Sequence, residues 1–464
     1  MKKFTVSLLA SLILCACHSA TTPASQPAIQ TAAVDTGFHP GWSRNAVIYE
    51  VNVRQYTPEG TFAAFQQHLP RLKGLGVDIL WMMPVQPIGK KNRKGTLGSY
   101  YSIADYTAIN PEHGTEADFK ALVDAAHGLG MRVILDWVAN HTAFDHEWTV
   151  DHKDYYTLRT DGSISVARDL EGKETDWTDV ADLNYSNAEM RRAMIGEMRW
   201  WVDTMGIDGF RCDVAGFVPY DFWSEVHREL KATRPGLFLL AEWEDPRLHA
   251  SFDMTYGWEF HHLLNDIAKG TKTTATLGGY FAKQDSLFGA GAYRMYFTSN
   301  HDENSWKGTE FERMGANHVP AFILSATVQN SMPLLYTGQE VSMNKRLRFF
   351  EKDTVDWTGP SLASFYRSVF DLKHSQKALW NGPWGGAQTA LKNNGGGGVY
   401  VFTRDRGANT VIVAVNFGAA EARVAYEGLP KPGEYTDWFG KTKITLAAKG
   451  GLEIPAHGYR VLVR

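Results

Sequence analysis

Cysteine is scarce in this chain of 464 residues, which contains only Cys15, Cys17 and Cys212. Two of the three lie in the N-terminal segment, which has the pattern of an export signal. Processing of such a signal would remove Cys15 and acylate Cys17. Cys212 is then left alone, which excludes an intramolecular disulfide even in an oxidising compartment. A single cysteine among scattered histidines also lacks the ligand spacing of a zinc site.

An excess of charge of one sign and long apolar runs are equally lacking. The 47 Lys and Arg residues nearly balance the 51 Asp and Glu residues, which leaves a formal net charge of −4. This balance gives no reason to expect nucleic acid or an anionic membrane surface as a partner. No internal repeat is found, and no glycine-rich phosphate turn follows an early strand, which argues against a doubly wound dinucleotide-binding sheet.

The first residues have the pattern of an export signal. Two lysines are followed by an apolar run, Phe4 to Leu14, that is too short to span a membrane as a mature helix. The run ends in Leu14-Cys15-Ala16-Cys17, which resembles the bacterial lipobox. The resemblance implies a lipoprotein signal peptide over residues 1–16 and an acylated, palmitate-bearing Cys17. The alternative is a plain signal peptide with a chance cysteine.

The expected location follows from the same segment. His18 follows the lipobox cysteine where an aspartate would resemble an inner-membrane retention signal, so the outer membrane is favoured, on its periplasmic or surface face. Residues 17–40 are rich in Ala, Thr, Ser and Pro and are interpreted as a flexible tether. Contact with the membrane is therefore expected only through the lipid on Cys17.

From residue 41 to 378, short apolar runs alternate with amphipathic stretches, as in βα units around a parallel sheet. The predicted strands are Val47–Val53, Val77–Met83, Arg132–Trp137, Gly209–Asp213, Leu237–Glu242, Ser251–Tyr256, Ala292–Ser299 and Pro333–Tyr336. The clearest predicted helices are Glu116–Leu129, Ala188–Thr204 and Tyr220–Thr233. Eight such units in roughly 330 residues predict an α/β fold of the (β/α)8 TIM-barrel class.

Two stretches depart from this alternation. Residues 141–185 are polar, carry Tyr, Trp, Asp and Gly without helical period, and are interpreted as a short inserted domain after the third strand. Residues 379–464 are rich in glycine turns and contain short runs that alternate at period two: Gly398–Thr403, Thr410–Asn416 and Tyr459–Val463. This pattern predicts a C-terminal antiparallel β-domain, a β-sandwich.

Polar and charged side chains follow four of the predicted strands, at the end where TIM-barrel active sites are built. The four segments are Asp136-Trp-Val-Ala-Asn140-His141, Gly209-Phe-Arg211-Cys212-Asp213, Leu239-Leu240-Ala241-Glu242-Trp243 and Thr298-Ser-Asn-His301-Asp302-Glu303. Singly, each has a structural alternative, such as a helix N-cap, a satisfied loop histidine or a structural ion pair. Together they gather charges in one ring, which is costly unless the charges are paired or functional.

These four segments, in this order, resemble the signature regions of the α-amylase superfamily, glycoside hydrolase family 13. Ala181-Asp182-Leu183-Asn184 resembles a fifth signature region of the family. The family's loop after the second strand is matched by Gly98-Ser-Tyr-Tyr101-Ser-Ile-Ala-Asp105-Tyr106 together with Asn110-Pro-Glu-His-Gly-Thr115. The resemblance covers nearly the whole mature chain. It implies an α-amylase-type glycosidase.

The resemblance also implies a role for each matching residue. The catalytic residues would be Asp213 as nucleophile, Glu242 as general acid/base and Asp302 as the carboxylate that stabilises the transition state. The substrate-binding residues would be Tyr101, His141, Arg211 and His301, with Arg211 also orienting the nucleophile and Asp136 supporting Arg211.

The implied reaction is retaining hydrolysis of α-glucosidic bonds, mainly α-1,4, in starch, maltodextrin or related glucans. Such a mechanism requires a raised pKa for Glu242 and a separation of roughly 5–5.5 Å between the two reacting carboxyl groups. No cofactor is required for the chemistry. Structural calcium is left open, because Asn140 matches a calcium-binding asparagine of the family whereas Gly216-Phe217 stands where many α-amylases have Lys-His.

Three readings of the function remain open at this point. The first is an endo-acting α-glucan hydrolase, and the second is a transglycosylase on the same fold, which differs in how well its acceptor site excludes water. The third is a catalytically inactive glucan-binding protein, which the presence of all three carboxylates disfavours. The short insertion favours a monomer with an open cleft.

Overall fold

The computed structural model describes residues 38–289 and 291–464. The predicted signal peptide, the lipobox with Cys17 and the tether up to residue 37 lie outside the described residues. None of the helices in the described ranges is long and apolar enough to cross a membrane.

Eight parallel strands form a closed barrel, which confirms the predicted TIM-barrel class. In chain order they are β1 (Ile48–Val51), β2 (Ile79–Met82), β3 (Arg132–Trp137), β6 (Gly209–Cys212), β7 (Phe238–Ala241), β8 (Met254–Tyr256), β9 (Tyr293–Tyr296) and β10 (Ser331–Tyr336). The order around the ring is β1-β10-β9-β8-β7-β6-β3-β2, so β7 lies opposite β1. Barrel strands are buried on both faces, which explains their continuous apolar runs.

The predicted sixth strand is present but shorter than expected. Three residues, β8, pair with β7 and β9, whereas the preceding residues Pro246–Ala250 form a 3-10 helix. Close packing explains the glycine at the start of another strand, β6. A Cβ on Gly209 would lie 1.9 Å from the carbonyl oxygen of Phe238. Only glycine permits this approach of the two backbones.

Helices connect the strands and cover the barrel. They are α1 (Val53–Tyr56), α2 (Phe62–Gln66), α3 (Leu69–Leu75), α4 (Glu116–Gly128), α5 (Trp148–Asp151), α6 (Ala188–Trp200), α7 (Tyr220–Thr233), α8 (Trp258–Ala268), α9 (Thr276–Phe288), α10 (Glu310–Met314), α11 (His318–Thr327) and α12 (Ala363–Ser375). The described part of the chain contains two π-helical turns, Trp201–Met205 and Glu303–Lys307. The second begins directly after Asp302, and such turns are frequent at functional sites.

The inserted segment has little regular structure. Its two strands, β4 (His141–Ala143) and β5 (Val180–Asp182), pair antiparallel, and β4 begins four residues after β3 ends. The pairing therefore anchors both ends of the insertion beside the mouth of the barrel.

The C-terminal region consists of antiparallel sheets, as predicted. One sheet has six strands, β11 (Ala387–Ala390), β13 (Val399–Arg406), β14 (Asn409–Asn416), β19 (Gly458–Val463), β16 (Gly433–Asp437) and β17 (Lys443–Leu446). The other has three, β12 (Lys392–Asn393), β15 (Ala422–Glu427) and β18 (Lys449–Ile454). Alternating buried residues of both sheets, such as Val424 and Ile412, share one apolar cluster.

Candidate active site

A cleft of about 480 Å³ opens at the carboxyl end of the barrel strands. Six of the residues predicted from the sequence line it together: Tyr101, His141, Asp213, Glu242, His301 and Asp302. The remaining predicted residues lie beneath the floor, where Arg211 and Asp136 are fully buried. Five different regions of the chain thus meet at one point, as the strand-end pattern predicted.

The guanidinium of Arg211 is the centre of the site. Its Nη1 donates to Asp136 Oδ1 at 2.8 Å and to Asp213 Oδ1 at 2.9 Å, and its Nε donates to the hydroxyl of Tyr256 at 3.1 Å. Glu242 Oε1 lies 2.9 Å from Nη2 but out of line for a hydrogen bond. A buried cation is tolerated only with such partners, so Arg211 and the carboxylates depend on one another.

Asp213 and Glu242 share this buried site, and the environment opposes two negative charges there. Burial, and next the neighbouring Glu242, raise the pKa of Asp213, while Arg211 opposes that shift. Burial also raises the pKa of Glu242, with Arg211 opposing and Asp302 adding to the rise. Of these two carboxyl groups, only Asp213 accepts an aligned hydrogen bond from Arg211, which favours the ionised form of Asp213, while a backbone N–H donated by Val214 lowers the pKa of Glu242.

Val214 contributes a backbone group that the sequence did not reveal. It has φ 35° and ψ 47°, a left-handed conformation that is strained for a β-branched residue. In this conformation its N–H donates to Glu242 Oε2 at 2.8 Å. Strained residues cluster at functional sites, and here the strain orients a carboxyl group in the cleft.

A chain of hydrogen bonds links Tyr101, His301 and Glu50. The hydroxyl of Tyr101 donates to Asp136 Oδ2 at 3.0 Å and lies 2.8 Å from His301 Nε2. Because that hydroxyl proton is used, the nitrogen must donate. His301 Nδ1 lies 2.5 Å from Glu50 Oε1 and donates as well. Both ring nitrogens therefore carry protons, which is the imidazolium form.

The pKa values of the two histidines in the cleft agree with this assignment. Burial lowers the pKa of His301, but Asp302 and Glu50 outweigh it and raise the value to about 9. Burial lowers the pKa of His141 to about 4, with no carboxylate to oppose it. At neutral pH the cleft therefore presents one cationic and one neutral imidazole to a ligand.

Glu50 is a site residue that the sequence analysis missed. It is the third residue of β1, fully buried, and its pKa is raised by burial, with His301 opposing the shift. A signal was present, since Glu50 interrupts an apolar strand near its carboxyl end as Asp136 does in β3. His301, 2.5 Å away, is the main partner that favours the ionised form of Glu50.

The raised pKa of His301 predicts a dependence of stability on pH. A pKa raised from about 6.5 to about 9 in the folded state stabilises the fold fully below pH 6.5 and ceases to do so as pH rises through 9. Over this interval the free energy of unfolding should fall by on the order of 1–3 kcal/mol more in the wild type than in His301→Gln. Urea unfolding at a series of pH values measures this difference.

The control for this measurement is His141→Gln. The imidazole of His141 has a pKa of about 4 and stays neutral throughout the interval, so this variant should keep the slope of the wild type. Equal slopes in His301→Gln and the wild type would show that His301 is neutral in the folded protein.

Comparison with known protein families identifies the chain. Residues 35–368 match the alpha amylase catalytic domain, and residues 391–458 match the alpha amylase C-terminal all-beta domain. The chain belongs to the α-amylase family. This confirms the family resemblance recognised in the sequence.

Individual α-amylases show how far the likeness extends. The α-amylase MalA of Haloarcula japonica is 29% identical over 414 residues, and the match covers 86% of this chain but 58% of that relative. The structure of an α-amylase from Lactobacillus plantarum is 30% identical with a TM-score of 0.80, covering 91% of this chain and 99% of the other. The noncanonic maltogenic α-amylase AmyB of Thermotoga neapolitana is 27% identical with a TM-score of 0.81, covering 90% and 98%.

The backbone carbonyl groups at Asn140 and His141 accept hydrogen bonds from within the chain. The carbonyl oxygen of Asn140 accepts from the N–H of Leu183, and the next carbonyl, of His141, accepts from the hydroxyl of Tyr106. In the part of the chain that the structure describes, no group of three or more His, Cys, Asp or Glu side chains could hold a metal ion.

Gly216 and Phe217, which replace the family's Lys-His, have a packing role instead. A Cβ on Gly216 would lie 2.2 Å from the indole of Trp243, so the ring next to Glu242 requires glycine here. The ring of Phe217 stacks on Trp177 of the insertion at 6.1 Å between centroids. Aromatic rings thus occupy the place of a charged pair on the Glu242 side of the cleft.

Cys212 lies on the opposite face of β6 from Arg211 and Asp213. It is fully buried in the main apolar cluster, and burial raises the pKa of its thiol well above the usual value. The alternation predicted from the sequence therefore places the thiol away from the cleft, where it is unreactive.

Proposed function

We propose that this α-amylase family member hydrolyses α-glucosidic bonds, mainly α-1,4, in starch-like glucans with retention of configuration. One observation carries the proposal: two buried carboxyl groups, Asp213 and Glu242, contact the two ends of the same guanidinium, and one of them is hydrogen-bonded to it. A retaining glycosidase needs one ionised and one protonated carboxyl group flanking the scissile bond.

In the first step, Glu242 donates its proton to the glycosidic oxygen as a carboxylate oxygen of Asp213 attacks the anomeric carbon. The C–O bond to the leaving sugar breaks, and its electron pair takes the proton. The N–H of Val214 holds Glu242 in place, and Arg211 holds Asp213 ionised. Asp302, the most exposed of the three carboxylates, is free to contact the sugar hydroxyls as positive charge develops on the ring.

In the second step, water replaces the departed sugar. Glu242, now ionised, removes a proton from the water as its oxygen attacks the anomeric carbon, and the bond to Asp213 breaks. The charged His301 and the neutral His141 line the same cleft and are placed to bind hydroxyls of the sugar in both steps. Every acid, base and nucleophile comes from the chain, so neither step requires a cofactor.

The second part of the proposal concerns the location of the protein in the cell envelope. Cys17 is proposed to carry the lipid that anchors the chain, as a monomer, in the outer membrane, where it would act on external or periplasmic maltodextrins. The lipobox-like sequence Leu14-Cys15-Ala16-Cys17 supports this. Palmitate labelling of cells that express the chain should be lost in Cys17→Ser and kept in Cys15→Ser.

The function is tested on a soluble form that begins after Cys17, given soluble starch, pullulan and β-cyclodextrin in turn. Reducing sugar that is released by the wild type and lost in Asp213→Asn supports the proposal and shows the linkage preference. Products longer than a maltooligosaccharide substrate would instead show a transglycosylase. No turnover of any substrate by folded protein would leave a glucan-binding protein.

A further inference from the structure

A loop that follows β2 contributes Lys94 to the lining of the cleft. Residues 88–98, here called the bridging loop, follow β2 at the carboxyl end of the barrel and run between the inserted segment and the loop that joins β10 to α12. Because β2 and β10 are the two neighbours of β1 in the ring, the bridging loop passes over the β1 side of the mouth.

Three contacts fix the bridging loop to the inserted segment. The N–H groups of Lys90 and Lys91 donate to Asp145 Oδ2 at 2.7 and 3.2 Å. The ammonium of Lys94 lies 3.1 Å from Asp179, a carboxylate that is almost fully buried. At Gly89 the two segments pack so closely that a Cβ would lie 2.4 Å from Ala143.

Similar contacts fix the other end to the loop after β10. The N–H of Thr96 donates to Glu351 Oε1 at 3.0 Å, and that of Leu97 donates to the carbonyl of Phe350 at 3.0 Å. Gly95 has φ 62°, and a Cβ there would lie 2.5 Å from the side chain of Phe350. The bridging loop therefore contacts both the inserted segment and the loop after β10.

The bridging loop is also held together internally. The guanidinium of Arg93 donates to the carbonyl oxygens of Gly89 and Ile88, each at 2.8 Å. Gly98, where a Cβ would lie 2.7 Å from Ile88, closes the base of the loop. A loop with this many backbone contacts keeps its shape when a ligand arrives, so it is a fixed wall.

The position of the bridging loop relative to Glu242, the proposed acid, indicates which end of the glucan chain the loop faces. Glu242 follows β7, which lies directly opposite β1 in the ring. If Glu242 protonates the leaving oxygen, the leaving part of the glucan lies on the β7 side and the part that bonds to Asp213 extends toward β1. The bridging loop follows β2, which neighbours β1, and its Lys94 lines the cleft.

We propose that the bridging loop closes the non-reducing end of the substrate cleft, so that the enzyme removes short units from the ends of α-glucan chains, with Lys94 binding the terminal sugar. This inference rests on the proposed function and specifies the substrate as the non-reducing ends of α-glucan chains. It differs from the endo-acting, open-cleft enzyme expected from the sequence. The partly exposed ammonium of Lys94 contacts Asp179 and donates to the carbonyl of Asp176, which leaves one of its three N–H donors for a terminal hydroxyl.

Two heptasaccharides distinguish a cleft that is closed at the non-reducing end from an open one. One is 4-nitrophenyl α-maltoheptaoside, and the other is the same compound with a 4,6-ethylidene group on its non-reducing glucose, both followed by chromatography of the first products. The wild type should cleave the free compound about 100-fold faster than the blocked one, because a terminal group that cannot enter a closed, hydrogen-bonding pocket is rejected strongly. Equal rates would overturn the closed cleft, whereas cleavage of neither would overturn the proposed function itself.

Variants of the bridging loop test the part played by Lys94. Loss of a hydrogen bond from a charged group predicts that Lys94→Ala raises KM for the free heptasaccharide by about 10-fold or more, with little change in kcat. Lys91→Ala is the matched control, since this lysine belongs to the same loop but its ammonium lies over the ring of Phe144, away from the cleft lining. An unchanged KM in Lys94→Ala would overturn its assignment to the terminal sugar.

Discussion

Replacing Asp213 with glycine should lower the hydrolysis of α-glucans by on the order of 10⁴-fold or more, because removal of a nucleophile leaves only the catalysis supplied by the rest of the site. The backbone of Asp213 is held independently, since its N–H donates to the carbonyl oxygen of Trp137. Arg211 retains Asp136 as a partner at 2.8 Å, so the fold should survive. The measurement is the rate of reducing-sugar release with circular dichroism as the check on folding.

Sodium azide separates a lost nucleophile from a damaged site. In Asp213→Gly the small anion can occupy the space of the missing carboxylate and attack the anomeric carbon of an α-glycosyl fluoride, which expels fluoride and forms a β-glycosyl azide. A β-azide places Asp213 on the face opposite the leaving group. An α-azide from this variant, or near wild-type hydrolysis without azide, would contradict the assignment.

Glu242→Gln should produce the second-largest effect, and its size should depend on the leaving group. General acid catalysis contributes typically 10²–10⁴-fold, so cleavage of maltooligosaccharides, whose sugar leaving group needs a proton, should slow by about that factor. Fluoride leaves without a proton, so the first step with an α-maltosyl fluoride should be nearly unaffected. Stopped-flow measurement of fluoride release in the first turnover gives the comparison.

The reference variant for this experiment is Glu244→Gln. Glu244 lies two residues further along, where its pKa is raised by burial, with Arg294 opposing, and it is not part of the cleft lining. It tests whether any buried glutamate in this region has the same effect. An equal loss on both substrates in Glu242→Gln would mean that Glu242 shapes the site and does not donate the proton.

Much of the site could be predicted from the sequence because the ends of the barrel strands can be recognised in it. Each barrel strand is a short apolar run, so a charged residue at its end, such as Asp213 or Glu242, stands out, and closure of the barrel brings such ends together. The period-two alternation along β6 was enough to separate Asp213 from Cys212. The family resemblance then supplied a role for each position.

Features that depend on backbone geometry could not be predicted in this way. The left-handed conformation of Val214 has no sequence signal, because β-branched residues rarely adopt it. The bridging loop looks like an ordinary polar connection rich in lysine, and its function as a wall depends on the close approaches at Gly89 and Gly95. Glu50 was overlooked because a single carboxylate in a strand has meaning only when its partner, His301, is known.

The most direct test of the account is the capture of the covalent intermediate. In Glu242→Gln, an α-maltosyl fluoride can still load the enzyme, but water then lacks its base, so the glycosyl-enzyme should accumulate. Mass spectrometry of the digested protein should find one maltosyl unit on the peptide that contains Asp213. Fluoride release with no adduct, or an adduct on another residue, would contradict the retaining mechanism proposed for this cleft.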